Sequence, residues 1–208
     1  MNESESLIIL RPDRSRCYEH IADILTFSAL TFGGSNVMFV GQSKARFSCL
    51  ASNVELVAPM AGFDAVLATA QLPQVICFIV TKKKPPPESG DVPGMKSITT
   101  RIVGAIFALF ADKAIEWVKI GHSTNYANWP PISNFARVVR NAIVHGGTIN
   151  VRSENSAKVS WKGVSIDHNN CGQPIINSGL LSLGDLILLM VELDEELDGL
   201  GAPHDLEA

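Results

Sequence analysis

The sequence predicts a mainly α-helical bundle with a small β-hairpin or β-meander inserted before the C-terminal helix. Apolar residues recur at i, i+3 and i+4 in four segments, as they do in helices that face a core. These segments are residues 15–31, 97–120, 132–145 and 182–197. Short alternating apolar and polar segments lie between residues 148 and 166. A length of 208 residues, 46% of them hydrophobic, suits one domain with a sizeable core.

The N-terminal part, residues 1–81, is predicted to be largely helical. Its first helix, residues 15–31, is followed by two glycines at positions 33 and 34, which are typical stop signals. Residues 37–71 have poor periodicity and include proline and glycine, so we expect a short extended piece followed by two broken helices. Residues 75–80 are β-branched and aromatic, which fits either a strand or a buried helical turn.

A segment rich in lysine and proline follows. Residues 82–96 include three consecutive prolines at positions 85–87, which neither a helix interior nor a central strand tolerates. We therefore expect a surface loop, whose lysines either contact nucleic acid or are simply solvated. The chain is then one domain, 1–208, in which this loop separates the N-terminal part from a core at residues 97–198.

The core part has the clearest pattern. Residues 97–120 form a long helix that is apolar on most sides at 102–110, as expected for the centre of a bundle. Residues 132–145 form a second helix, with Ser133 or Asn134 as a plausible N-cap and two glycines after its end. The β segments are residues 148–152, 157–161 and 164–166, and an amphipathic helix with an acidic end, residues 182–197, comes last.

Composition limits the functional classes. The 17 lysines and arginines against 21 acidic residues give a net charge of −4, which excludes a uniformly basic nucleic-acid binder but permits a local basic groove. The longest apolar run, residues 102–111, is half of the roughly 20 residues that a membrane span needs. The first ten residues contain no basic residue before their apolar run, so no secretory signal is indicated. We expect a cytoplasmic protein without a membrane contact.

The cysteines and histidines form no recognisable ligand set. The four cysteines are far apart in sequence and show no CxxC pattern, so we expect free thiols, no metal and no cofactor. His122 and His168 are expected in loops, and His20 is expected on a helix surface. None of the three is assigned a catalytic role.

Helix 132–145 carries the constellation that stands out. On a helical wheel of about 100° per residue, Arg137, Asn141 and His145 stack at i, i+4 and i+8, and Arg140 lies within about 60° of Arg137. The opposite face is apolar and predicted to pack in the core; it comprises Phe135, Val138, Val139, Ala142 and Ile143. The helix therefore gathers two guanidiniums, an amide and an imidazole on one side.

These residue types suit phosphate chemistry. Arg140 can bind a phosphate through two hydrogen bonds and oppose charge that develops at phosphorus. His145 can transfer a proton near neutral pH, and Asn141 can orient the imidazole or the phosphate. The same residues have simpler interpretations. A histidine in a last helical turn can merely interact with the helix dipole, and an arginine on a helix face is usually solvated.

The hexapeptide Arg140-Asn141-Ala142-Ile143-Val144-His145 resembles the Arg-x4–6-His signature of the HEPN superfamily (higher eukaryotes and prokaryotes nucleotide-binding). The surroundings of the hexapeptide are similar too, with two glycines directly after it, Trp161 in a small β insertion and a leucine-rich final helix at 183–189. The resemblance covers residues 97–197, about half of the chain. It implies a helical bundle, usually dimeric, in which two opposed motifs form one composite site.

The resemblance implies a metal-independent endoribonuclease of the kind found as toxins or phage-defence components, with RNA, a second copy of the chain and an antitoxin or other defence protein as partners. Arg140 would stabilise the transition state, His145 would act as acid or base, Asn141 would position, and Arg137 would contact an RNA phosphate. The product would be a 2′,3′-cyclic phosphate. Two alternatives stay open: a non-catalytic HEPN module that binds nucleotide, RNA or a protein, and a helical interaction protein without a nucleic-acid role.

Overall fold

Helices and two antiparallel sheets together form an α+β fold. The computed structural model describes residues 6–33, 44–59, 69, 71–82, 95–151, 158–176 and 180–204. In chain order the elements are β1 (Ser6–Leu10), α1 (Tyr18–Gly33), β2 (Lys44–Cys49), β3 (Val54–Pro59), β4 (Ile76–Lys82), α2 (Met95–Gly121), α3 (Pro131–Val144), β5 (Val159–Trp161), β6 (Val164–Ile166) and α4 (Leu183–Gly199).

The prediction of a mainly α-helical bundle is wrong. Over the part of the chain that the structure describes, 49% is helical and 22% strand, and the N-terminal part holds a four-stranded antiparallel sheet in the order β1-β4-β3-β2. In β3, Leu56, Val57 and Ala58 are consecutive and all buried, because one face of the strand meets the core and the other is covered as well. A strand buried on both faces has no alternation to distinguish it from a broken helix.

The described parts of the ambiguous N-terminal segments contain strands. Residues 37–71 were expected to contain one extended piece and two broken helices. Within them the structure describes the hairpin of β2 and β3, and residues 37–43, 60–68 and 70 lie outside the described part. The segment 75–80, open between strand and helical turn, is β4, which pairs with both β1 and β3. Most of the expected surface loop, residues 83–94, also lies outside the described residues.

The four predicted helices and the predicted hairpin are present. The helices α1, α2, α3 and α4 begin and end within about three residues of the expected boundaries, a usual margin for sequence-based bounds. The strands β5 and β6 form the small hairpin before α4, with Trp161 opposite Val164. Residues 148–152 form no strand in their described part; Thr148 makes an isolated bridge to Pro174.

The hydrophobic core lies between the helices and one side of the large sheet. The long helix α2 contacts α1, α3 and α4, and α4 also contacts β2. Four phenylalanines are fully buried, one from the sheet and three from the helices: Phe78, Phe107, Phe110 and Phe135. The sheet and the helices thus share one core, and α2 lies at its centre as its apolar pattern predicted.

A buried arginine connects the segment before α1 to the end of α4. The side chain of Arg16 is 1% exposed, and its Nη1 lies 3.0 Å from Asp194 and 2.7 Å from Asp198. Its Nε donates to the carbonyl of Pro203 at 2.8 Å, and its Nη2 donates to the carbonyl of Ala202. Burial alone would lower the pKa of Arg16, but hydrogen bonds to Asp198 and Asp194 raise it, so the guanidinium stays charged.

A second buried contact joins α4 to the β2–β3 hairpin. Asp185, in the first turn of α4, is fully buried and accepts hydrogen bonds from the backbone N–H groups of Ser182, Leu50 and Ala51 at 2.8, 2.9 and 3.1 Å. The preceding residue, Gly184, lies directly against the hairpin backbone, where a Cβ atom would be 2.6 Å from the carbonyl oxygen of Ser48. The helix can approach the hairpin this closely only because position 184 has no side chain.

Substitution of Gly184 by alanine therefore tests the packing between the sheet and α4. We expect Gly184→Ala to lower the free energy of unfolding by about 1–3 kcal/mol, because a backbone carbonyl has to move to admit the methyl group. Gly199→Ala in the same helix is the matched control, since no atom lies within 4 Å of the added Cβ. Urea denaturation measures both; equal stabilities for the two variants would contradict this packing.

Candidate functional site

The helix α3 has a well-defined beginning and end. A 3₁₀ turn at Tyr126–Asn128 leads into it, with Asn125 Oδ1 accepting the N–H of Ala127 at 3.0 Å. The helix starts at Pro131, with Pro130 as N-cap, so the expected N-cap at Ser133 or Asn134 is wrong. Proline is favoured in the first turn because its fixed φ suits a helix and its missing N–H would have no partner there.

The end of α3 lies at the histidine of the motif. The N–H of His145 donates to the carbonyl of Asn141 at 3.1 Å, and Gly146 and Gly147 follow with φ of 92° and 80°. Gly147 N–H donates to the carbonyl of Ala142 at 2.8 Å. Only glycine adopts such φ values without strain, so the two glycines terminate the helix directly after His145.

The apolar face of α3 packs as predicted. Phe135, Val139 and Ala142 are buried, and the ring of Phe135 lies 5.6 Å from that of Trp161 in β5. Val138 and Ile143, on the flanks of this face, are partly buried against the core. This packing orients the polar side of α3 away from the core, so all four motif residues are at least partly accessible.

Arg140 points to α2, where it meets Asp112. Its Nη2 donates to Asp112 Oδ2 at 2.9 Å, and its Nε lies 2.6 Å from Oδ1, at an angle that makes an ionic contact rather than a hydrogen bond. Both side chains are only partly exposed. The carboxylate of Asp112 therefore lies against the Nε–Nη2 edge of the guanidinium and does not contact its Nη1–Nη2 edge.

Asn141 contacts Arg140 and lies in the same groove as Arg137. Its Oδ1 accepts a hydrogen bond from Arg140 Nη1 at 3.2 Å, and its side chain also lines a groove on the other flank of α3. Arg137 lies in this groove, with its guanidinium 4.3 Å from the centre of the Tyr126 ring and its Nε donating to Asn134 Oδ1 at 3.3 Å. The polar face of α3 is thus divided, with Arg140 on one flank and Arg137 on the other.

His145 is exposed at the end of the helix. Among the contacts of the described residues, no hydrogen bond or ion pair joins its imidazole to Arg140 or Asn141. Val144, next to it, is 50% exposed. The structure therefore brings Arg140 and Asn141 into contact and places His145 one turn further along the same helix.

Asp112 is the site residue that the sequence did not identify. It lies in the second half of α2, 28 residues before Arg140, and nothing in the spacing of the two residues indicates that they meet. The available signal was the change in α2 from an apolar to an amphipathic pattern at this residue. Such a change marks where a helix reaches the surface, but it does not identify the partner.

The other histidines lie away from α3. His122 Nε2 is 3.9 Å from Glu196, and His168 begins a short 3₁₀ turn. His20, expected on a helix surface, is partly buried with its ring 5.5 Å from that of Phe110, and this burial lowers its pKa.

Neither a metal-binding cluster nor a membrane-spanning helix is found among the described residues. No group of three or more His, Cys, Asp and Glu side chains that could hold a metal ion is present in the part of the chain that the structure describes. None of the helices within this part has the length and apolar character needed to cross a membrane. Comparison with known proteins found no matching family model, no matching curated protein and no matching solved structure.

The exposure of the motif residues predicts that they can be replaced without loss of the fold. We expect Arg140→Ala and His145→Ala to change the free energy of unfolding by no more than about 1 kcal/mol, as for other partly exposed ion pairs and surface residues. Phe135→Ala, on the buried face of the same helix, should cost about 3–5 kcal/mol. Thermal and urea unfolding measure these values. Unfolding of the His145 variant would place its ring in a structural role.

Proposed function

We propose that this protein is a cytoplasmic, metal-independent endoribonuclease of the HEPN type, with a composite site formed by two copies of the chain. One observation carries the proposal: the hydrogen-bonded pair of Arg140 and Asn141 lies at the accessible end of a helix that terminates at the exposed His145. A phosphate-binding guanidinium and a proton-transfer group thus lie about one and a half turns apart on one helix. Both are held by a helix whose other face is anchored in the core.

The reaction needs no group beyond the RNA and these side chains. The 2′-hydroxyl oxygen attacks the adjacent phosphorus, its proton passes to a base, and the bond from phosphorus to the 5′-oxygen breaks as that oxygen receives a proton. The products are a 2′,3′-cyclic phosphate and a 5′-hydroxyl. This step requires both a base and an acid, and α3 of one chain ends in a single imidazole. Two copies supply two imidazoles, which is the chemical argument for a composite site.

Asp112 acts in this proposal as a positioning residue. It occupies the Nε–Nη2 edge of Arg140 and leaves the Nη1–Nη2 edge, where Asn141 contacts Nη1, for a phosphate. A guanidinium edge with two parallel N–H groups matches two oxygens of a phosphate. The guanidinium is therefore oriented before substrate arrives, and less rotamer entropy is lost on binding.

The outer face of α2 supports the dimer. Its exposed large apolar residues, Ile98, Leu109 and Ile120, are 51%, 63% and 73% exposed. They are spaced 11 residues apart, so each is displaced by only about 20° from the one before, and together they form one line about 33 Å long. An apolar line of this length along a surface helix is typical of a helix that packs against another helix.

The distribution of residues along this line is symmetric about Leu109. When a second α2 packs antiparallel across a two-fold axis at Leu109, each Ile98 meets the Ile120 of the other copy and the two Leu109 side chains meet each other. Arg101, eight residues before Leu109, then lies near Glu116, seven residues after it, and the two charges are opposite. The same surface on both copies is thus self-complementary, as a two-fold interface requires.

This arrangement also brings the motifs together. Asp112 follows Leu109 by less than one helical turn, so each Arg140 lies close to the two-fold axis. The exposed Val144 lies one turn beyond Arg140, and Ile143 beside it packs near Gly104 of α2, where an added Cβ would be 3.4 Å from it. The axis at Leu109 therefore gathers both Arg140 side chains and both ends of α3.

The pair of Asp112 and Arg140 also favours a second candidate function. A guanidinium whose charge is already matched by a carboxylate is typical of structural ion pairs. In that case the chain is a non-catalytic HEPN module that keeps the motif for assembly or binding. The two functions differ in whether RNA is cut, which the following experiment decides.

We expect the purified protein to cut single-stranded RNA in the presence of EDTA and to leave 2′,3′-cyclic phosphate ends. DNA of the same sequence should stay intact, because it lacks the 2′-hydroxyl nucleophile. His145→Ala should lower the rate by about 10²–10⁴-fold through loss of proton transfer. Arg140→Ala should lower it by about 10²–10³-fold, and Arg140→Lys should restore little because an ammonium cannot form two parallel hydrogen bonds.

Three results would each contradict this mechanism: cleavage that persists in His145→Ala, cleavage that disappears in EDTA, and cleavage of DNA at the same rate. His168→Ala is the matched control, since it removes an imidazole outside α3 and should leave the rate unchanged. If the wild-type protein leaves RNA intact at concentrations where the protein is dimeric, it is a non-catalytic HEPN module instead.

The symmetric face of α2 predicts the effect of charge reversal on assembly. Arg101→Glu should weaken the dimer by placing like charges together, and the double variant Arg101→Glu/Glu116→Arg should restore it. Leu109→Asp should give a monomer, because two carboxylates would meet at the axis. Sedimentation at tens of micromolar, roughly the range in which weak dimers form, measures all three variants. If the wild type is a monomer, or if the double variant does not restore the dimer, the proposed interface along α2 is wrong.

A further inference from the structure

A groove of about 460 Å³ lies on the flank of α3 that faces away from Arg140. One wall is the 3₁₀ turn Tyr126–Asn128 and the start of α3, and the other is formed by residues 150–151 and 158–160 beside the hairpin. Its volume falls within the range of about 300–1,000 Å³ that small-molecule and cofactor sites occupy. The polar side chains that line it are Asn134, Arg137, Asn141, Asn150, Lys158 and Ser160.

The described lining of the groove carries positive charge. Arg137 and Lys158 both line it, and none of its described lining residues is acidic. The guanidinium of Arg137 is half-buried, and this burial lowers its pKa. Its contacts in the described structure are the amide oxygen of Asn134 and the face of Tyr126, so no carboxylate balances it. An anion in the groove would compensate both cations.

The rest of the lining suits a flat, partly polar ring. Trp129, Pro131, Val138, Val151 and Val159 supply an apolar surface. The amides of Asn134, Asn141 and Asn150 also line the groove. Asn134 already donates to the carbonyl of Tyr126 and accepts from Arg137, and Asn141 Oδ1 accepts from Arg140. The NH₂ group of Asn141 is the donor that remains for a base edge. A simple anion such as sulfate would use the cations and leave this apolar surface without a partner.

We propose that this groove binds a nucleoside-phosphate unit, with the phosphate between Arg137 and Lys158 and the base against the apolar wall and the amide of Asn141. Asn141 lines the groove and accepts a hydrogen bond from Arg140, so this one side chain lies between a nucleotide in the groove and the guanidinium proposed for cleavage. The inference rests on the proposed function for the identity of the strand as RNA. The groove then holds the nucleotide that flanks the scissile phosphate.

Binding to the His145→Ala variant tests the groove separately from cleavage, because this variant keeps the groove and lacks the proton-transfer group. The probe is a fluorescein-labelled, uncleaved single-stranded RNA of roughly 12 nucleotides, followed by anisotropy. In this background Arg137→Gln should weaken binding by about tenfold or more, and Lys158→Ala, at an exposed lining residue, should also weaken it. Arg14→Ala removes one positive charge from a distant, exposed position and should change the affinity little.

Two further measurements define the ligand. Competition by AMP tells whether a free nucleotide fills the groove or whether only a strand does; either result agrees with a nucleoside-phosphate site. Tyr126→Phe should bind as the wild type does, whereas Tyr126→Leu should bind more weakly, because the ring that holds Arg137 is lost.

The proposed nucleotide site is wrong if the Arg14 and Arg137 variants bind RNA with equal affinity. It is also wrong if neither RNA nor AMP binds. Competition by poly-glutamate as effective as that by AMP also overturns it, in favour of an acidic protein partner. If the wild-type protein never cuts RNA but still binds it through the groove, the proposed cleavage is wrong and the nucleotide site is supported.

Discussion

The buried carboxylate of Asp185 is the contact on which the arrangement of the domain depends. It lies in the first turn of α4, and its oxygens accept the backbone N–H groups of Leu50 and Ala51 from the hairpin of the large sheet. Since α4 packs against α2, and α2 carries the aspartate that holds Arg140, the hairpin is connected to the motif through one continuous path of packed elements. A buried charge is stable there because backbone donors replace the lost water.

The helices were predictable because their apolar periodicity is strong, and the sheet was missed for two different reasons. In β3 three consecutive residues are buried, so no alternation was visible, and only pairing with β2 and β4 identifies the strand. In β2, by contrast, Ala45, Phe47 and Cys49 do alternate with polar residues, and this signal was hidden within a longer segment that has no clear period. Tertiary pairing decided both cases.

The motif helix shows how much of a candidate site can be predicted from the sequence. A helical wheel grouped Arg137, Arg140, Asn141 and His145 correctly on the polar side of α3, because that depends only on helix geometry. It did not separate Arg140 from Arg137, which depends on what lies beside each flank: Asp112 on one side and Tyr126 on the other. Contacts between residues distant in sequence divide a single face into two surfaces with different chemistry.

The contacts of Arg16 have a consequence for synthesis of the chain. Its guanidinium donates to carbonyls at positions 202 and 203, which are translated 186 and 187 residues later. Until residue 203 has emerged from the ribosome, Arg16 lacks these acceptors and α4 cannot complete the core around α2. The helix that carries the motif, its partner helix α2 and the hairpin of β5 and β6 are all made before that point, whereas α4, which packs against both helices, is made after them. The core behind α3 is therefore closed last.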